Sequence, residues 1–68
     1  MKIYVLTWYL STEDRVISNI ITNKKVCENR YNELKEILPK YSWISVKEYT
    51  ENENYELIEG EVLHYNDI

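Results

Sequence analysis

Lys2-Ile3-Tyr4-Val5-Leu6-Thr7-Trp8-Tyr9-Leu10 decides the fold. β-Branched and aromatic side chains crowd this stretch, a composition that fits a pleated surface. Successive side chains on a strand point to opposite faces. Here both sets are apolar: Ile3, Val5 and Tyr9 on one side, Tyr4, Leu6, Trp8 and Leu10 on the other. A strand apolar on both faces belongs in the middle of a sheet. The run is far shorter than the ~20 apolar residues that a spanning helix needs, so no membrane partner is expected.

Outward from this strand, Ser11-Thr12-Glu13-Asp14 reads as a turn, because its short polar side chains capture local backbone groups. Arg15 to Thr22 reads as a second strand, hairpinned to the first, with imperfect alternation. Between 23 and 38 the period changes. Cys27, Tyr31, Leu34 and Leu38 recur at helical spacing, with Ile37 beside them. Thr22 or Asn23 can cap the helix, and Pro39 ends it by pushing Leu38 out of the α region. Lys24 and Lys25 fall in the first turn, where the helix dipole disfavours cations.

Tyr41 to Thr50 reads as a third strand, with Ile44 and Val46 on one face and Tyr41, Trp43 and Tyr49 on the other. Glu51-Asn52-Glu53-Asn54 reads as a polar turn. Tyr55 to Ile58 and Glu61 to Tyr65 read as two short strands joined at Glu59-Gly60, with Gly60 supplying a positive φ. The expected fold is α+β: a small antiparallel sheet of three to five strands in the order β-β-α-β-(β-β), with one helix packed on one face. It forms a single domain over 1–68, with an acidic segment at 51–68.

One helix covers only one face of such a sheet. If Ile3, Val5, Ile44 and Val46 lie beneath it, Tyr4, Leu6, Trp8, Leu10, Tyr41, Trp43 and Tyr49 lie opposite. Trp and Tyr dominate interface hot spots, and an exposed apolar patch of this size marks an interaction site. Three occupants compete for it. The C-terminal segment could fold back through Leu57, Ile58, Val62 and Leu63; a second copy could form a homodimer; a different protein could dock.

The charge is divided unevenly. The whole chain carries −4. Residues 1–47 hold eight bases and five acids, whereas residues 48–68 hold seven acids and no Lys or Arg. Such asymmetry is a partner signal, and it directs attention to Glu51, Glu53, Glu56 and Glu59. The aromatics could stack bases, but a nucleic-acid binder needs a positive footprint, so no nucleic-acid partner is expected.

Chemistry is sparse. Cys27 is the only cysteine, which rules out an intramolecular disulfide and fits a reducing, cytoplasmic setting. It lies on the apolar stripe of the helix, where a thiol is usually an inert hydrophobe. His64 is the only histidine. Glu59, Glu61, His64 and Asp67 do not share a face as a strand, and Gly60 disfavours a helix. A single glycine builds no phosphate-cradling loop. No cofactor, metal or catalytic residue is therefore expected.

Lys2-Ile3-Tyr4-Val5-Leu6, the hairpin into Val16-Ile17, the helix from Asn23 and the strand Trp43-Ile44-Ser45-Val46-Lys47-Glu48-Tyr49 together resemble a group of small uncharacterised bacterial and phage proteins. These share a KxYVL-type start and a ββαβ order. The resemblance spans about residues 1–50 and implies the fold. The small residues and glycine that usually join strand two to the helix in that group are absent here. Small phage proteins of this kind often inhibit a host protein. The resemblance implies the fold and not an activity; with the aromatic face and the acidic segment, the expected role is a phage-type, cytoplasmic binding protein that inhibits or modulates a host protein, as an anti-defence component. Its contacts would be Trp8, Tyr41, Trp43, Tyr49 and the four glutamates, facing a basic surface. Two alternatives stand beside it: a self-associating scaffold domain, and a nucleotide-type ligand sponge with its pocket at a dimer interface.

Overall fold

The computed structural model describes residues 1–68. It is an α+β fold built from β1 (Lys2–Leu10), β2 (Arg15–Ile21), α1 (Lys24–Ile37), β3 (Trp43–Glu51) and β4 (Leu57–Asp67). The four strands form one antiparallel sheet in the order β2-β1-β3-β4. β1 is central, as its two apolar faces require.

The helix begins where Asn23 caps it: the Asn23 side chain accepts the Val26 N–H at 3.0 Å. It ends at Leu38, whose backbone is already extended, before Pro39. Its apolar stripe sits on β3, β1 and β2. Cys27, Tyr31 and Leu38 are buried and Leu34 is half-buried, whereas Ile37 is exposed.

β3 presents the expected face to the helix, with Ile44 and Val46 beneath it, but β1 presents the reverse of the one expected. Antiparallel partners share a face, and the register pairs Leu6 with Val46 and Trp8 with Ile44. Tyr4, Leu6 and Trp8 therefore join Ile44 and Val46 beneath α1 in one buried cluster. Ile3, Val5 and Tyr9 turn to the opposite face with Trp43 and Tyr49. Trp8, 9% exposed, is thus a core residue and not a contact residue.

The C-terminal region also departs from expectation. It does not fold back over the sheet; it extends the sheet as a single continuous edge strand. Gly60 lies inside β4 without a positive φ. Its role is close approach: a Cβ there would stand 2.6 Å from the Glu48 carbonyl oxygen. The β3–β4 register shifts between Val46 and Lys47 and again between Lys47 and Tyr49, where Glu48 meets Gly60. Such bulges bend a strand and re-aim its side chains.

Three non-glycine residues have positive φ: Asp14, Tyr41 and Tyr55. A residue in the left-handed region does not continue a strand, so β3 starts at Trp43 rather than Tyr41. Tyr41 is 79% exposed and belongs to the turn between α1 and β3. That turn is pinned on two sides. The Tyr41 N–H donates to the Ile68 carbonyl at 3.1 Å, and the Ile68 N–H donates to the Ser42 carbonyl at 2.9 Å. Ser11 N–H donates to the buried Ser42 hydroxyl at 3.1 Å, and the Ser11 hydroxyl donates to the Lys40 carbonyl at 2.6 Å.

Candidate functional site

No other element covers the face of the sheet away from α1, the bare face, although Ile3 on it is buried. Across its middle run Thr7 and Ser18, joined by a hydroxyl–hydroxyl hydrogen bond of 3.0 Å, and Lys47, paired with Glu59. On β2, Val16 and Ile20 share this face through their pairing with Tyr9 and Val5. Ile20 is 70% exposed.

At one end of this face three rings line up across three strands. Tyr9 on β1 stacks with Trp43 on β3, and Trp43 stacks with Tyr65 on β4. The centroid separations are 6.3 and 6.4 Å and the planes lie within about 20° of parallel. The register explains the ladder: Trp43 opposes Tyr9 on one side, while Tyr65, partnered with Ser45, stands two residues along on the same face. Both outer rings end in a carboxylate. Tyr9 Oη donates to Asp14 Oδ1 at 2.7 Å, and Tyr65 Oη donates to Asp67 Oδ1 at 2.9 Å. These hydrogen bonds hold both phenol groups above their usual pKa, with desolvation a smaller cause. The hydroxyls are therefore satisfied within the chain, and Tyr65, 56% exposed, is the most open of the three.

At the other end, β3 and β4 meet through the turn at 52–56 to form an arm, flanked by β1 as far as Lys2, paired with Thr50, and by Met1 against Glu51. Every residue from 53 to 62 is exposed. Asn52 organises the tip: its side-chain oxygen accepts the N–H groups of Asn54 at 2.9 Å and Glu56 at 3.1 Å. Tyr55 sits there at φ 61° with its ring in solvent. A bulky side chain in that conformation is strained by about 1–2 kcal/mol, and such strain concentrates where a surface has a task. Glu53 and Glu56 flank the tip. Glu51 and Glu59 stand further down the arm, and Glu59 is held by Lys47.

The expected contact residues thus separate into groups. Trp43 and Tyr49 lie on the bare face. Glu51, Glu53, Glu56 and Glu59 lie on the arm at its end. Tyr41 lies in a turn with Lys40 over its ring, and Trp8 lies in the core. Tyr9 and Tyr65 complete the ladder but were missing from the expected set. The alternation of β1 places Tyr9 with Val5, and only the register of β4 places Tyr65 beside Trp43.

Cys27 and His64 lie on the helix side of the sheet. Cys27 is fully buried in the core, and desolvation pushes its thiol pKa up. His64 ties β4 to α1: its ring stacks on Tyr31 with 4.9 Å between centroids, and Nε2 lies 3.3 Å from Glu28 Oε2. The chain encloses no pocket, and no helix is long and apolar enough to cross a membrane. Comparison with protein-family models, curated proteins and solved structures found no match.

Proposed function

We propose that this chain is a phage-type binding protein that occupies a basic surface on a host protein and thereby modulates it. The observation that carries the reading is the bare sheet face with an acidic arm at its end. A sheet face bearing Trp, Tyr and exposed aliphatic side chains supplies anchors that gain free energy when buried. The acids supply long-range attraction and orientation. If the host surface normally holds nucleic acid, the spaced glutamates of the arm would stand in for phosphates.

A second copy fits this face less well than a basic partner. Asp14 and Asp67 mark one end of it and the glutamate arm the other, so either face-to-face orientation sets acid against acid. Like charges across an interface are a recognised device against wrong partners. The same opposition counts against a ligand pocket formed between two such faces.

The test is capture from host lysate by the wild-type chain and by a variant with Glu51, Glu53, Glu56 and Glu59 all replaced by Gln. Proteins held by the wild type should be basic and should elute as salt rises. The variant should lose most of them while keeping its fold by circular dichroism. An unchanged captured set, released at unchanged salt, would contradict the electrostatic half of the reading.

A further inference from the structure

The ladder of Tyr9, Trp43 and Tyr65 differs from three of the chain's other tyrosines. Tyr31, Tyr41 and Tyr49 each already carry a lysine of the same chain over the ring: Lys35 at 5.5 Å, Lys40 at 5.9 Å and Lys47 at 5.8 Å. No cation of the chain lies over any ladder ring. The rings run nearly parallel and both outer hydroxyls are engaged by carboxylates. The ladder therefore offers flat, electron-rich faces with a negative charge at each side.

From this geometry we infer that the ladder is a docking site for arginine side chains of a basic protein segment. The guanidinium groups would stack on the outer rings, Tyr9 and Tyr65, and face Asp14 and Asp67. Guanidinium fits this arrangement better than ammonium. It is planar, so it stacks on a ring and still directs N–H groups sideways to a carboxylate, and it is more weakly hydrated than a lysine ammonium. A ring over a cation attracts it through its quadrupole. The charge around the ladder agrees. Of the bases at this end, Arg15 is paired with Glu13 at 3.3 Å and Lys40 lies over the Tyr41 ring, leaving Asp14 and Asp67 to meet the incoming cation. This inference rests on the basic-partner reading and narrows it to arginine.

The test uses the intact chain with two synthetic probes, hexa-arginine and hexa-lysine, in 150 mM salt. Affinity is read by calorimetry on the wild type, on Tyr65→Leu and on the quadruple glutamate variant. Tyr65 is 56% exposed on an edge strand, so its replacement leaves the fold intact, which circular dichroism verifies. Hexa-arginine should bind the wild type more tightly than hexa-lysine, and Tyr65→Leu should reduce hexa-arginine binding by about two- to five-fold with little effect on hexa-lysine. The quadruple variant should weaken both probes alike. Equal affinity for the two probes, or a preference that survives Tyr65→Leu, would overturn the arginine site and leave the basic-partner reading standing. Failure of both probes to bind would remove both.

Discussion

Trp8→Ala should abolish the folded state at room temperature, whereas Trp43→Ala should leave a folded protein. Trp8 lies beneath α1 beside Leu6 and Ile44, in the cluster that holds most of the buried apolar side chains. Truncating a buried Trp costs about 3–5 kcal/mol through lost transfer energy and the cavity left behind. A single core in a domain this small rarely supplies more than about 3–5 kcal/mol, so a chain of 68 residues has little reserve beyond that loss. Trp43 is half-buried on the bare face and touches the ladder instead. Losing its two ring stacks should cost about 1–2 kcal/mol, since each aromatic pair contributes ~0.5–1.5 kcal/mol beyond its buried area. Urea unfolding followed by circular dichroism separates the two variants. A stable Trp8→Ala protein would mean that the helix covers the other face.

Gly60→Ala is the second large effect, and its sign is unusual. In an ordinary strand, alanine is favoured over glycine by roughly 0.5–1 kcal/mol. At position 60 the added methyl would meet the Glu48 carbonyl oxygen at 2.6 Å and its carbon at 3.3 Å. Both are backbone atoms of the neighbouring strand, so relief requires β3 and β4 to separate. Overpacking of this kind costs about 1–3 kcal/mol. The urea midpoint should fall, and amide exchange should quicken in Leu57–Val62 more than in β1. A raised midpoint would show that the bulged pairing yields easily.

The fold was legible because its signals are local. The doubly apolar run at 2–10, the helical spacing from Cys27 to Leu38 and Pro39 behind it each mark one element. Which face meets the helix was not legible, because β1 is apolar at both parities. The choice depends on the register of Leu6 against Val46, two strands joined only through the helix, and no turn fixes that pairing. One register therefore decided the role of Trp8. The C-terminal strand was misread for a different reason. A lone glycine amid polar residues signals a turn, yet here it serves a close approach between strands. The acids of the arm were visible as composition. The ladder was not, since Tyr65 reaches Trp43 only through a strand pairing altered by bulges.

The central claim is that the sheet face without the helix receives a basic partner. The chain has two tryptophans, one on each face, so its two indole N–H signals report the faces separately. The most direct measurement is a ¹⁵N NMR titration of the intact chain with hexa-arginine. The indole signal of Trp43 should shift progressively, with the amides of Glu51–Glu59, while that of Trp8 stays in place. An unmoved Trp43 signal, with shifts confined to the outward acids Glu33 and Glu36 of α1, would contradict it.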